Sequence, residues 1–294
     1  MSRLLPIAGP WRKTLRLGPE LTETLIWPAK KAPKTVFFMI PGNPGIINFY
    51  NEFLSELHSQ DPDNLEIIGV SHLGHSLFEN ETGHLIHPKR TYLVRDQVDH
   101  IKRVFLYFYE LYSDNKLFPT IPKFVLCGHS VGAYVIEQVF RDCSPLINKV
   151  FYLFPTVTHI RKTPNGNKLW FLFNSFSIFL VSWFAALLRF SVPSSLVAKV
   201  VKSPTVLNVL TMSVDEMDII LDLDTEFYAD NGSKFIMYYG TTDGWVPLEY
   251  YHLMKKSNPK MQVHLCEKAI SHSFIADGSF EIARFVGSWL NKMN

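Results

Sequence analysis

Cysteine is scarce in this chain: Cys127, Cys143 and Cys266 are the only three among 294 residues. An odd number at wide spacing argues against a disulfide framework and against the paired cysteines of a zinc site. Cys127 and Cys266 fall in apolar runs, where cysteine serves as a small hydrophobe, so a reducing compartment is expected. A large excess of charge of one sign is also missing. A net charge of +2 offers no basic surface, and no nucleic-acid partner is expected. The N-terminal stretch from Met1 to Trp11 lacks the apolar run of a secretory signal, so the cytosolic side is expected. His72, His75, His84 and His87 lack helical i,i+4 spacing and cysteine companions, so they read as solvated or loop-packing residues. Neither a metal nor a cofactor is expected.

What the chain does have is apolar residues, 47% of the total with 14% aromatic, ample for a large core. Thr14–Leu17 and Glu23–Trp27 suggest an antiparallel hairpin. Beyond it, continuous apolar runs of strand length alternate with amphipathic helical patterns. Strands are expected at Thr35–Ile40, Leu65–Val70, Phe124–Cys127, Lys149–Phe154, Phe235–Tyr239 and Gln262–Cys266. Helices are expected over Asn48–Leu57, Tyr92–Tyr112, Ala133–Asp142, Leu248–Lys255 and Phe280–Asn291. Runs that are apolar throughout belong to parallel strands buried on both faces, and repeated strand–helix units build such a sheet. The fold class is therefore α/β. A core formed by residues 1–155 and 233–294 is interrupted by an insertion at 156–232.

Gly128-His129-Ser130-Val131-Gly132 lies between a buried strand and a helix, the setting of a nucleophile elbow. The sharp turn strains the backbone of Ser130 and raises its hydroxyl at the strand's carboxyl end, while the two glycines permit close strand–helix packing. A serine there needs a base and an acid, in the chain order serine, acid, histidine. Asp243 follows the strand ending at Tyr239, and His272 follows the strand ending at Cys266. Both arrive in order at the required edge. Asp215, Asp218, Asp222 and Asp224 precede a strand and read as solvated. His129 points off the elbow and His264 sits within a strand.

The expected chemistry follows from these positions. His272 takes the proton of Ser130 during attack and returns it to the leaving alcohol, while Asp243 orients the imidazole. The tetrahedral oxyanion needs two donors. The N–H of Val131 is one; the Pro41-Gly42-Asn43-Pro44-Gly45 loop supplies the other, with Asn43 favoured and Gly42 next.

Residues Leu169–Leu188 carry no charge and are long enough to be scored as a membrane span. A single crossing would separate Ser130 from Asp243 and His272. The chain must return, as a hairpin with an amphipathic arm over Leu196–Leu210 lying in an interface, or the segment is a lid packed over the site. Either arrangement favours an apolar substrate delivered from a lipid phase.

The Pro41–Gly45 loop running into Asn48-Phe49-Tyr50, the elbow through Ala133-Tyr134, and Gly240…Asp243…Val246-Pro247 together resemble the lipid droplet-associated hydrolase family over nearly the whole chain. The resemblance implies an α/β-hydrolase of the serine esterase type, a carboxylic ester hydrolase acting on lipid esters, including sterol (cholesteryl) esters. It implies residence on lipid droplets and the endoplasmic reticulum, with residues 169–210 meeting the droplet monolayer or membrane surface. Ser130, Asp243 and His272 fall on that family's triad positions. Two other functions fit the same residues: a droplet-bound regulator or scaffold working through protein partners, and an acyltransferase using the same acyl-enzyme. Epoxide hydrolase and dehalogenase chemistry is disfavoured, because those enzymes place aspartate at the elbow.

Overall fold

The computed structural model describes residues 10–18, 20–76, 88, 90–169 and 203–293. Eight strands form one sheet: β1 (Trp11–Arg16), β2 (Leu21–Trp27), β3 (Thr35–Ile40), β4 (Leu65–Val70), β5 (Lys123–His129), β6 (Lys149–Leu153), β7 (Phe235–Tyr239) and β8 (Gln262–Leu265). Their spatial order is β1-β2-β4-β3-β5-β6-β7-β8. The expected hairpin is present: β1 pairs antiparallel with β2, which pairs antiparallel with β4. Every pairing from β4 to β8 is parallel. The connections leaving β3 and β5 run to opposite sides, so a crevice opens between their carboxyl ends, where open α/β sheets carry their sites.

Alternation along the strands explains the unbroken apolar runs. Val36, Phe38 and Ile40 of β3 join one hydrophobic cluster, while Phe37 and Met39 join the other. In β5, Phe124 and Leu126 face the first layer, and Val125 and Cys127 face the second. Helices α2 (Val94–Tyr112) and α3 (Val131–Cys143) cover the first face; α1 (Asn51–Ser59) and the C-terminal Ser279–Asn291 helix pack together over the second. A parallel strand in this position has no solvent face, and a polar side chain on either side would be buried. All three cysteines are free and buried.

Between β6 and β7 the described chain forms α4 (Pro164–Leu169), α5 (Ser203–Ile219) and α6 (Thr225–Asn231). Most of the apolar segment at 169–188 lies outside the described residues. Among the described residues no helix is long and apolar enough to cross a membrane. The described part of this segment bears on the two expected arrangements, interfacial arm and packed lid. Residues 203–210 of the anticipated interfacial arm belong to α5, which buries Thr205, Asn208, Met212 and Glu216 against the protein body. Those positions share one face of a helix, and two of the four are strongly polar. They meet hydrogen-bonding groups of the fold, so this part of the arm is held by protein. Asn208 Oδ1 accepts from the Tyr92 N–H at 3.0 Å, and Asp215 Oδ2 accepts from the Val94 N–H at 2.7 Å.

Phe38 tests the central packing. Its ring lies 5.7 Å from both Phe105 and Phe108 and 6.3 Å from Phe124, tying β3 to α2 and β5. Phe38→Ala should destabilise the protein by about 3–5 kcal/mol in denaturant unfolding. A loss below about 1 kcal/mol would mean that this face is loosely packed.

Candidate active site

Strand β5 ends at His129 and α3 begins at Val131, so Ser130 alone makes the turn, at φ 52° and ψ −125°. A positive φ is disfavoured for a residue with a Cβ and persists only where its surroundings enforce it. Here they do. The Ser130 N–H donates to the Leu153 carbonyl at 3.1 Å, and the Ser130 carbonyl accepts from the N–H groups of Ala133 and Thr156 at 3.0 and 3.2 Å. A Cβ on Gly128 would lie 2.6 Å from the Ala133 nitrogen, and one on Gly132 would strike the Ile40 carbonyl oxygen. Both glycines are required by contact, as the sequence pattern suggested.

The structure brings the three side chains of the expected triad together. Asp243 sits in the loop after β7 and His272 in the loop after β8. His272 Nε2 is 3.0 Å from Ser130 Oγ, and His272 Nδ1 is 2.6 Å from Asp243 Oδ2. The other carboxylate oxygen, Oδ1, accepts from the backbone N–H groups of Trp245 and Val246 at 2.7 and 3.0 Å. The carboxylate is therefore fixed by its own loop, and its side chain is fully buried. A carboxylate accepting at Nδ1 makes that nitrogen the N–H, which leaves Nε2 as the acceptor facing the serine. The rival acids serve elsewhere. Asp224 caps α6 through the Phe227 N–H and pairs with Arg141, Asp222 meets His159, and Asp215 holds the start of α2.

The oxyanion expectations divide. Val131 is the first residue of α3, so its N–H has no acceptor within the helix and sits beside the Ser130 hydroxyl-bearing turn. Gly42 is a correction: its single N–H already donates to Tyr50 Oη at 2.9 Å, which removes it as a free donor. Asn43 narrows to its backbone N–H, because its side-chain amide turns to α5. There Nδ2 meets the Val209 carbonyl and Ser213 Oγ, both at 2.9 Å, and Glu216 Oε1 at 3.1 Å. The loop is braced from below by two of the sequence's histidines. His72 Nε2 donates to the Pro41 carbonyl at 2.9 Å, and His75 Nδ1 accepts from the Gly45 N–H at 3.0 Å. Burial pushes His72 down to about 4 and His75 down to about 3, so both are neutral at pH 7. These two do pack a loop; His84 and His87 lie outside the described residues. Among the described residues no three His, Cys, Asp or Glu side chains come together as a metal site.

Sequence reasoning missed Tyr50, Glu216 and the role of His129. Tyr50 lies just eight residues past Gly42, and its proximity to the loop was visible. Its contact with His129, 79 residues away, depends on β3 and β5 lying side by side.

A mainly parallel eight-stranded sheet, with serine at a strand–helix elbow and acid and histidine on later loops, defines the α/β-hydrolase fold. Solved structures carry the same fold. A haloalkane dehalogenase from Bradyrhizobium elkani matches with a TM-score of 0.69 at 11% identity, covering 96% of this chain and 98% of that one. An esterase from Thermogutta terrifontis matches with a TM-score of 0.59 at 14% identity, covering 97% and 99%. Relatives are more specific. The model of the lipid-droplet associated hydrolase family matches residues 33–206 and 194–275. The lipid droplet-associated hydrolase of Drosophila melanogaster is 31% identical over 86% of this chain and 88% of its own length. That of Rattus norvegicus is 30% identical over 88% and 85%. The chain belongs to the lipid-droplet associated hydrolase family.

Glu216 gives the site a measurable signature. Burial pushes its carboxyl up from the usual range to about 8, with the Asn43 hydrogen bond opposing. The acid is thus mostly protonated at pH 7 in the folded protein, while the unfolded chain ionises it near its ordinary value of 4.5. A folded pKa raised above the unfolded one contributes stability that is complete below about 4.5 and is lost as pH rises through about 8. Glu216→Gln, which keeps the acceptor and cannot ionise, should match the natural protein at pH 4 and exceed its stability at pH 9. At about 1.4 kcal/mol per pH unit, the gain is on the order of a few kcal/mol. Denaturant unfolding at the two pH values measures it, and an equal difference at both would contradict the buried neutral acid.

Proposed function

We propose that the protein is a serine carboxylic ester hydrolase that cleaves lipid esters, with sterol esters such as cholesteryl esters within its range. The observation carrying this reading is the continuous line Asp243 Oδ2–His272–Ser130 Oγ, at 2.6 and 3.0 Å, beneath a serine in the elbow conformation. In the first half-reaction His272 Nε2 accepts the Ser130 proton as Oγ attacks the ester carbonyl carbon. The tetrahedral oxyanion receives hydrogen bonds from the backbone N–H groups of Val131 and Asn43. The C–O bond to the alcohol breaks, and the imidazolium gives its proton to the departing oxygen. Water then repeats the sequence on the acyl-enzyme and releases the carboxylic acid. Asp243 stays ionised throughout and stabilises the imidazolium. Ser130 gives an ester intermediate and needs no cofactor.

The lipid part of the reading draws on the family and on the apolar insertion at 156–232. The relatives bear the name lipid droplet-associated hydrolase, which supports work at the droplet surface for this chain; residence at the cytosolic face of the endoplasmic reticulum is part of the same proposal. Contact with the lipid surface is proposed for residues 169–210, of which 203–210 also pack one face on the protein. A hydrolase drawing substrate from that surface receives apolar esters without their crossing water.

Fluorophosphonate probes phosphonylate an activated serine. The natural protein should label, Ser130→Ala should not, and turnover of emulsified sterol, glycerol and retinyl esters should fall at least about 1,000-fold in that variant. Labelling that survives Ser130→Ala would remove Ser130 as nucleophile. The surface contact is tested separately. Phe179→Asp with Leu180→Asp should release the protein from isolated droplets in a flotation assay and leave probe labelling intact; droplet binding as strong as before would assign residues 169–188 to a lid.

A further inference from the structure

Beneath the Ser130–His272 pair runs a second chain of hydrogen bonds that the hydrolytic steps do not use. The Gly42 N–H donates to Tyr50 Oη at 2.9 Å. Tyr50 Oη lies 2.6 Å from His129 Nδ1, and His129 Nε2 lies 2.9 Å from the backbone carbonyl of His272. The direction of every bond is fixed by what each group can do. A carbonyl only accepts, so His129 Nε2 carries the hydrogen. A neutral imidazole has one N–H, so Nδ1 is the acceptor. Tyr50 must therefore donate to Nδ1, which leaves its oxygen lone pairs facing the Gly42 N–H.

The surroundings keep His129 neutral. Its ring is enclosed by the rings of Tyr50, Phe154, Phe274 and His272, with centroids 5.8, 6.2, 5.0 and 5.2 Å away. No carboxylate is among them. Burial, with the neighbouring His272 adding to it, pushes the imidazole down to about 3, and burial also pushes the Tyr50 phenol up.

The chain joins three parts of the site that the sequence keeps far apart: the loop after β3, the elbow itself, and the loop after β8. His129 shares a peptide bond with Ser130, so its ring is anchored to the backbone that carries the hydroxyl. The two ring nitrogens then set two separate distances from that backbone. One, through Tyr50, is to the Pro41–Gly45 loop; the other is to the main chain of His272. Space around the loop is tight, since a Cβ on Gly42 would lie 2.8 Å from the Ser130 Cβ and 2.9 Å from His129 Nδ1.

We propose that His129 is a positioning residue for ester hydrolysis, holding the oxyanion loop and the base in register with Ser130 through Tyr50 and the His272 carbonyl. This rests on the hydrolase reading above. Both groups act through the Gly42 N–H and the His272 carbonyl. Their contribution lies in alignment, where a displacement of about 1 Å can cost on the order of 100-fold in rate.

The test measures fluorophosphonate labelling, and kcat and KM on p-nitrophenyl butyrate, for the natural protein, Tyr50→Phe, His129→Asn and His129→Ala. Thermal melting is followed for each. Tyr50→Phe removes one oxygen and severs the tie to Gly42. His129→Asn offers an acceptor near the Nδ1 position and loses the donor to His272. Both should lower kcat on the order of 10- to 100-fold with KM nearly unchanged, and His129→Asn should recover part of the loss seen in His129→Ala. The double variant Tyr50→Phe with His129→Ala should lose little more than His129→Ala alone, because both cut one chain. Tyr50→Phe or His129→Ala with the natural kcat would overturn the proposal, as would losses that follow the fall in melting temperature alone. Nitrogen-15 NMR of histidine-labelled natural protein at pH 7 provides a readout independent of turnover. It should find His129 as the neutral Nε2–H tautomer, and the Nδ1–H tautomer or a doubly protonated ring would contradict the assigned chain. A natural protein that fails to label at Ser130 sinks the hydrolase reading and this role with it. A labelled natural protein with unaffected variants sinks this inference alone.

Discussion

The backbone of Ser130 is the constraint on which the rest of the site depends. A φ of 52° at a residue with a Cβ costs free energy on the order of 1–3 kcal/mol, and the fold must hold it there. It does so with hydrogen bonds from three directions: to Leu153 at the end of the neighbouring strand, and from Ala133 and Thr156 beyond the turn. Gly128 and Gly132 let strand and helix close around the turn. With the serine held in that geometry, the N–H of Val131 opens α3 and the hydroxyl meets His272. A relaxed turn would lose both at once.

Around that turn the chain is braced in two layers. The first is polar and local to the site: Asp243 behind His272, and His129 with Tyr50 beneath both His272 and Gly42. The second comes from the segment between β6 and β7. Helix α5 reaches the oxyanion loop through Ser213, Glu216 and the Val209 carbonyl, all meeting the Asn43 amide. The loop proposed to stabilise the transition state is thus gripped on one side by buried neutral histidines and on the other by a helix that belongs to the insertion at 156–232.

Much of this was legible in the residues. The strands were readable because parallel strands buried on both faces leave unbroken apolar runs, as at Thr35–Ile40 and Lys149–Leu153. Ser130, Asp243 and His272 were readable because the fold places each at a strand's carboxyl end in a fixed order. The burial of Asn208 was not readable, since the stretch from Leu196 to Leu210 looks amphipathic whether its polar side meets water or protein. Nor was the engagement of Gly42. A glycine beside prolines signals close backbone approach, but the tyrosine that captures its N–H is chosen by packing of the Ile47–Tyr50 turn against β5. Contacts set by tertiary geometry between polar side chains leave no periodic trace.

The measurement that bears most directly on the central claim is a crystal structure of the protein after reaction with a small fluorophosphonate. The account predicts a single covalent bond to Ser130 Oγ. It also predicts one phosphonyl oxygen about 2.7–3.1 Å from the backbone N–H groups of both Val131 and Asn43, with His272 still against Asp243. An oxygen turned away from those two donors, or an adduct on any other residue, would contradict it.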